Sequence, residues 1–232
     1  MPKKKDKILV VAAHPDDEIL GCGGTIAKYV KSGAIVKTII LTKGISSRHE
    51  KLTDKIIKLQ SKLNKSSLLA NQAIGVRDIA FYDLPDNEFD SKSLLSLIKI
   101  LEKEIDKFKP NKIFTHFIHD LNIDHQYTAK AVITAARPED HNSVSEIIFF
   151  EINSSTDYQI NSNGMQFQAN FFVDISATLK NKEIALKFYN SEMKKYPHTR
   201  SVKAIINKNI TIGNTVGLQA CEAFQIVRKI EK

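Results

Sequence analysis

Apolar and polar residues follow two different patterns along the chain. Short runs rich in Val, Ile and Phe predict buried strands, and longer segments with apolar residues every three to four positions predict helices. The predicted strands cover residues 8–11, 34–41, 78–82, 112–116 and 147–150, and the predicted helices cover residues 18–31, about 50–73, 93–108 and 126–137. Strands and helices that alternate through short loops are typical of βαβ units. The pattern therefore predicts an α/β fold: a doubly wound, mostly parallel, Rossmann-like sheet with helices on both faces.

The length and composition fit one domain, residues 1–232. The chain has 232 residues, 42% of them hydrophobic, which is enough for a sizeable core. No apolar run approaches the ~20 residues that span a bilayer, and the charged N-terminus leads directly into the first strand. We therefore expect a cytoplasmic protein without stable membrane insertion, and a homo-oligomer stays open. Cys22 and Cys221 are too few for a disulfide framework and are expected to be small core residues.

The net charge of +8 raises the question of a nucleic-acid partner. The lysines are spread through helical segments, no aromatic residues interleave them as a stacking platform requires, and no known nucleic-acid motif is present. We expect a solvated basic surface and no nucleic-acid binding. The positive field would still favour an anionic small substrate.

The first candidate site follows the first predicted strand. His14, Asp16, Asp17 and Glu18 crowd the strand's carboxyl end, where open α/β sheets bind their ligands. Carboxylates this close disfavour one another's ionisation, and a divalent cation would reverse that penalty; His with carboxylate is a ligand set that suits Zn²⁺. The alternative is a solvated helix start, where acidic residues suit the helix dipole.

A second polar cluster follows the fourth predicted strand. It consists of His116, His119, Asp120, Asn122, Asp124 and His125. If the first and fourth strands are neighbours at a switch point of the sheet, the two clusters face one crevice. Three protein ligands and an open position would make a catalytic metal site. His125 is the best third ligand, with His119 as its competitor, whereas His116 is as much a candidate for the core as for the site.

Two short motifs resemble a known family. Ala-His-Pro-Asp-Asp-Glu at residues 13–18 resembles the signature of the PIG-L/LmbE-like zinc-dependent N-deacetylases, which remove acetyl groups from N-acetylglucosamine-type sugars, and residues 120–125 resemble the family's second motif. The resemblance implies that His14, Asp17 and His125 bind Zn²⁺ (Fe²⁺ or Mn²⁺ being alternatives) and that Asp16 is the general base. Many members carry a His where this chain has Asn122. The oxyanion would then be met by Asn122 as a neutral donor, or by His116, His119 or His198.

Weaker likenesses extend over most of the chain. They imply that Arg48, Glu151, His198 and Arg200 contact substrate, and we expect Asp124 to orient a neighbouring side chain. The structural alternatives are a surface loop for Arg48, a strand cap for Glu151, and a bond to a neighbouring carboxylate for Arg200.

The predicted function is metal-dependent hydrolysis of an N-acetylated amino sugar to acetate and a free amine. The positive net charge, together with Arg48 and Arg200, favours a phosphate- or nucleotide-linked sugar. A metalloprotease or general amidase would share this chemistry. The alternative from another class is a non-hydrolytic nucleotide or sugar-phosphate binding protein, in which Gly21-Cys22-Gly23-Gly24 cradles a phosphate. Against it, the glycine spacing is neither a dinucleotide fingerprint nor a P-loop.

Overall fold

A seven-stranded sheet forms the centre of the protein, for which a computed structural model describes residues 5–48, 53–139, 144–159 and 165–231. Its strands are β1 (Lys7–Ala12), β2 (Ile35–Thr42), β3 (Asp78–Leu84), β4 (Lys112–His116), β5 (Glu146–Phe150), β6 (Phe171–Asp174) and β7 (Cys221–Lys229). The helices are α1 (Asp17–Lys31), α2 (Asp54–Ala73), α3 (Leu94–Phe108), α4 (Ile123–Ala135), α5 (Leu179–Phe188) and α6 (Val202–Thr215). Short 3₁₀ turns occupy Ser46–Arg48, Phe89–Ser91 and Thr156–Tyr158.

The strand order is β3-β2-β1-β4-β5-β7-β6. Strands β1 to β5 pair in parallel, and β7 runs antiparallel to both β5 and β6. Because β1 pairs with β2 on one side and with β4 on the other, the order of the strands reverses between β1 and β4. The predicted doubly wound, mostly parallel sheet is confirmed. Its switch point lies between β1 and β4, so the polar clusters that follow these two strands face the same crevice.

Apolar side chains cover both faces of the sheet. One core cluster joins β1, α1, α2, α5 and β7 and includes Ile8, Ile26, Ala70 and Leu186. The other joins the opposite face to α3 and α4 and includes Leu9, Leu101, Ile105 and Val132. Helices therefore pack on both faces, as the alternation of strands and helices predicts.

Helix α4 begins at Ile123, three residues earlier than the sequence pattern predicts. The reason is Asn122, whose side chain accepts a hydrogen bond from the backbone amide of Asp124 at 2.8 Å and caps the helix. His125 consequently lies in the first turn of α4, and its ring orientation is set by a helix rather than by a loop.

Helix α1 is broken at Cys22, where φ is −145°. The Glu222 carboxylate accepts hydrogen bonds from the amides of Gly24 and Thr25, and the Lys182 ammonium donates to the Leu20 carbonyl and pairs with Glu222 at 2.6 Å. A buried ion pair thus satisfies the backbone groups that the break exposes.

Cys22 and Cys221 are free and buried, as predicted. Within the described ranges, none of the helices combines the length and the hydropathy that a bilayer crossing requires.

Candidate metal centre

The loops after β1 and β4 bring three nitrogen and oxygen donors together. Nδ1 of His14 lies 3.1 Å from Oδ2 of Asp17 and 3.2 Å from Nε2 of His125. The third distance, from His125 Nε2 to Asp17 Oδ2, is 3.3 Å. These three atoms form the donor triangle. These are the three residues that the family resemblance implies as metal ligands, and they come from sequence segments more than a hundred positions apart.

The donor set fits a divalent cation. Ligands held at about 2.0–2.1 Å from a tetrahedral Zn²⁺ lie about 3.3–3.4 Å from one another, close to the sides of the observed triangle. Oδ1 of Asp17 is buried and has no hydrogen-bond partner, so Asp17 carries unused acceptor capacity at this point. Two nitrogens and one carboxylate oxygen, with the remaining side open to a cavity, match a catalytic rather than a closed structural site.

The electrostatics of the cluster also favour positive charge at this position. Burial would lower the pKa of His14, but its hydrogen bonds to Asp124 and Asp17 raise that pKa to about 10. For His125, burial again lowers the pKa, and Asp17 and Asp120 outweigh it to give a net rise. The carboxylates that hold protons on these rings would equally stabilise a cation that replaced the protons.

Asp124 orients the His14 ring. Its Oδ2 lies 3.0 Å from Nε2 of His14 and accepts the amide of Asn87 at 2.7 Å, while its Oδ1 accepts the amide of Phe89 at 2.9 Å. Because a carboxylate only accepts, Nε2 of His14 carries a proton, and a cation that displaced the second proton from Nδ1 would leave the Nδ1 lone pair facing the donor triangle. Oδ1 of Asp86 lies 3.6 Å from the same Nε2 and adds negative charge behind the ring.

Asp120 has the corresponding place behind His125. Its Oδ1 lies 3.1 Å from Nδ1 of His125, and its two oxygens accept hydrogen bonds from the Ser155 and Thr156 hydroxyls. Each candidate imidazole ligand thus has a carboxylate at its outer nitrogen, the arrangement that fixes tautomer and orientation in metal sites.

The two other histidines of the second cluster differ in their surroundings. His116 is fully buried, stacks on the His125 ring at 3.9 Å, and accepts the amide of Ala13 on Nε2 at 2.9 Å. Burial and the neighbouring His125 hold the pKa of His116 well below its usual range, so His116 is a neutral ring that packs behind the candidate ligand His125. His119 is exposed and contacts the Phe117 ring; the donor triangle contains His125 instead.

Asp16 is buried beside the triangle and is bound by a guanidinium. Nη2 of Arg200 lies 3.0 Å from each carboxylate oxygen of Asp16. Burial raises the pKa of Asp16 well above its usual range, and Arg200 acts in the opposite direction. The Arg200 contact predicted with substrate is thus, in this structure, a contact with Asp16.

A cavity of about 240 Å³ opens beside the donors. Among the described residues, its lining consists of His14, Pro15, Asp16, Asp17, Gly44, Ile45, Leu63, Asp86, Asn87, Leu121, Asn122, His125, Ile152, Ser154, Ser155, Glu192 and Arg200. Asn122 contributes an amide that also donates to Oδ1 of Asn87 at 2.8 Å. The cavity therefore joins the three candidate ligands, the candidate base and the candidate oxyanion donor.

The remaining predicted substrate contacts lie elsewhere or outside the described residues. Glu151 pairs with Lys208 at 2.9 Å, and Nδ1 of His198 accepts the amide of Arg200 at 3.0 Å; neither belongs to the described lining of the cavity. Arg48 ends the turn Ser46–Arg48, and its side chain lies outside the described part of the structure.

The glycines after the first motif serve packing. A Cβ on Gly21 would meet the Phe150 ring at 2.3 Å, and the amide of Gly24 is bound by Glu222. A phosphate would compete there with a carboxylate, so the phosphate-cradle alternative is not favoured.

Several side chains of the site were missed from the sequence. The cavity is also lined by Asp86, Asn87, Ser155 and Glu192. Asp120 was included in the second cluster, but its contact with His125 was not predicted. Asp86 and Asn87 follow β3 at the carboxyl edge of the sheet, so the strand-end rule that found the first two clusters applied to them as well.

Comparison with known proteins gives a consistent set of relatives. The sequence profile of the PIG-L family, described as GlcNAc-PI de-N-acetylase, matches residues 9–136. A probable N-acetyl-alpha-D-glucosaminyl L-malate deacetylase 2 of Bacillus subtilis is 29% identical over 139 residues, which cover 56% of this chain and 61% of the relative. The match thus spans less than two thirds of that relative's length.

Solved structures share the fold over almost the whole chain. The N,N'-diacetylchitobiose deacetylase of Pyrococcus horikoshii has a TM-score of 0.77 at 22% identity and covers 96% of this chain and 84% of its own. GalB, the 4-carboxy-2-hydroxymuconate hydratase of Pseudomonas putida KT2440, has a TM-score of 0.75 at 18% identity and covers 98% of each chain. Since a hydratase and a deacetylase share this architecture, the fold leaves the reaction to be argued from the site.

Proposed function

The chain belongs to the PIG-L family, and from this we propose that it is a metal-dependent deacetylase that hydrolyses the acetamide of an N-acetylated amino sugar. The observation that carries the proposal is the triangle of His14, Asp17 and His125, with sides of 3.1–3.3 Å, beside the buried carboxylate of Asp16. A metal ligand set next to a separate, unliganded acid is the arrangement that hydrolysis of an unactivated amide requires.

Zn²⁺ is the proposed ion, held by His14 Nδ1, Asp17 Oδ2 and His125 Nε2. When bound, it would polarise the acetamide carbonyl and lower the pKa of water at the site. Two imidazoles and one carboxylate suit Zn²⁺ well, and Fe²⁺ or Mn²⁺ are the alternatives because affinity alone does not separate these metals.

Asp16 is the proposed general base. It faces the cavity next to Asp17, and a carboxylate with a raised pKa accepts a proton from the attacking water more readily than an ordinary one. Arg200 keeps the carboxylate oriented through contacts of 3.0 Å to both oxygens. After water adds to the carbonyl carbon, Asp16 returns its proton to the departing nitrogen, the C–N bond breaks, and acetate and a free amine are released.

Asn122 is the proposed partner of the developing oxyanion. Its side-chain nitrogen carries two hydrogens, of which the Asn87 contact uses one, so a second remains for the cavity. A neutral donor that is already held in place stabilises developing charge without reorganisation.

The substrate is proposed to be a small N-acetylated sugar, because the names of two similar proteins, the probable N-acetyl-alpha-D-glucosaminyl L-malate deacetylase 2 and the N,N'-diacetylchitobiose deacetylase, specify such compounds. Arg200 is the one Lys or Arg residue in the described cavity lining, and its guanidinium already pairs with Asp16. A phosphate or nucleotide carrier would thus be bound outside the cavity, on the side of the 3₁₀ turn Ser46–Arg48, where the Ser47 hydroxyl donates to the cavity-lining Asp86 at 2.6 Å.

An acetate-release screen tests this function. N-acetylglucosamine, its 1-phosphate, N,N'-diacetylchitobiose and a nucleotide-linked N-acetyl sugar are incubated with protein of measured metal content, beside an acetylated peptide. We expect acetate from at least one sugar, loss of activity with a chelator, and recovery with Zn²⁺. Release from the peptide alone, or release that a chelator leaves unchanged, would contradict the proposal.

A further inference from the structure

Asp16 has an unusual backbone conformation for an aspartate. Its φ is +102° and its ψ is −26°, in a region that side chains with a Cβ rarely occupy and that persists only where the surroundings enforce it. Its side chain makes no capping bond to α1, although Asp at this position usually caps the helix. The carboxylate is instead turned to Arg200 and the cavity.

Glu18 binds the backbone amide of Asp16 in this conformation. Its Oε2 accepts the backbone amide of Asp16 at 3.1 Å, a bond that resembles the reciprocal half of a capping box but comes from the second helical residue instead of the third. The carbonyl of Asp16 accepts the amides of Ile19 and Leu20 at 3.1 and 2.9 Å. Both backbone polar groups of Asp16 are therefore bound, and the amide bond depends on a side chain two residues ahead.

Glu18 is in turn anchored from two other helices. Its Oε1 accepts the hydroxyl of Tyr189, just past the end of α5, at 2.5 Å and the side-chain amide of Asn71 in α2 at 2.9 Å. The orientation of Asn71 is itself fixed, because its oxygen accepts the Thr38 hydroxyl at 3.0 Å. All four side chains are 0–1% exposed.

Glu18 has no direct path to a substrate. Among the described residues that line the cavity, Asp16 and Asp17 are present and Glu18 is not. Both of its oxygens are occupied by donors of the protein, and the candidate ligand triangle does not include it. Of the side-chain hydrogen-bond partners described for Glu18, Asp16 lines the cavity, whereas Asn71 and Tyr189 are not in its described lining, so these contacts connect Glu18 to the site through Asp16.

We propose that Glu18 is a positioning residue that, anchored by Tyr189 and Asn71, holds Asp16 in its left-handed conformation so that the Asp16 carboxylate faces the reacting water. This inference rests on the proposed deacetylase function and assigns a role to the last acid of the Ala-His-Pro-Asp-Asp-Glu motif. The role also gives a reason why the Glu18 carboxylate, with hydrogen-bond donors on both oxygens, is buried beside Asp16 and Asp17.

Glu18→Gln is the informative variant, because it preserves volume. If the glutamine oxygen takes the donors of Tyr189 and Asn71, its NH₂ faces the Asp16 amide; in the opposite orientation, its NH₂ faces the fixed NH₂ of Asn71. Either way one donor opposes another. We expect kcat to fall about 10- to 100-fold, as a misplaced reacting group does, with KM within about threefold and metal content unchanged.

A double variant separates positioning from general damage. In an Asp16→Asn background, Glu18→Gln should cause no further loss of residual activity, because the two changes act on one group. Glu104→Gln is the matched control: Glu104 is likewise buried and accepts a tyrosine hydroxyl, Tyr82 at 2.7 Å, outside the site. It should leave kcat unchanged even if stability falls.

A crystal structure of Glu18→Gln gives a readout that does not depend on activity. We expect Asp16 to leave positive φ and its carboxylate to leave Arg200. An unmoved Asp16, an unchanged kcat, or further loss in the double variant would each overturn the positioning role. Absence of acetate release in the wild type would instead overturn the proposed function, and the crystallographic comparison would still decide the role of Glu18.

Discussion

Nε2 of His14 lies 3.0 Å from Oδ2 of Asp124, although the two residues are 110 positions apart. The same carboxylate accepts the amides of Asn87 and Phe89, so it joins the ends of β1, β3 and β4 at a single point. The bond determines that Nδ1, rather than Nε2, of His14 faces the donor triangle.

Asp124→Asn should weaken metal binding. An amide in place of the carboxylate provides one acceptor where three donors now meet, and loss of such an orienting partner typically costs 10–100-fold in metal affinity. Competition with a fluorescent chelator measures the change. Asp83→Asn is the control, because Asp83 is exposed and pairs with Lys43 at the surface; equal affinities in the two variants would argue against an orienting role for Asp124.

Asp16→Asn should retain the metal and lose most activity. The variant preserves shape but cannot take a proton, and general-base catalysis is worth about 10²–10⁴-fold in rate. Initial rates and elemental analysis on the same sample measure the loss of activity and the retention of metal. Metal loss as large as that in Asp17→Ala would mean that Asp16 is a ligand rather than the base.

His125→Ala should lower bound metal well below one equivalent, whereas His119→Ala should leave it near the wild-type level. The structure places Nε2 of His125 3.3 Å from Oδ2 of Asp17, while His119 is exposed and packs on Phe117. Elemental analysis after removal of free metal distinguishes the two. Full occupancy in the His125 variant would remove it from the ligand set.

Lys182→Met should destabilise the fold far more than Lys180→Met, although both residues lie on α5. Lys182 is 1% exposed, and its loss leaves the buried Glu222 carboxylate unpaired at the break in α1, which costs about 3–5 kcal/mol. Lys180 forms an exposed pair with Glu183, worth about 0–1 kcal/mol. Urea unfolding of both variants checks the difference; equal midpoints would contradict it.

Much of the fold follows from local pattern. A strand buried on both faces is apolar throughout, and a helix with one buried face is apolar every three to four residues, so periodicity locates β1 to β5 and α1, α3 and α4 nearly to their ends. Asn122 shows the limit of periodicity: its capping bond to Asp124 starts α4 three residues before the apolar spacing does. The break in α1 likewise depends on Glu222 and Lys182, which lie far along the chain.

The candidate site divides in the same way. The residue types at the ends of β1 and β4 can be read from the amino-acid sequence, because a motif is local, and the family resemblance implies roles for His14, Asp17 and His125. The folded chain was needed to show that β1 and β4 are neighbours, that Asp124 and Asp120 each contact a different imidazole, and that Arg200 binds Asp16. These pairings depend on strand order and loop conformation, which result from the packing of the whole chain, and local periodicity carries no information about partners a hundred residues away.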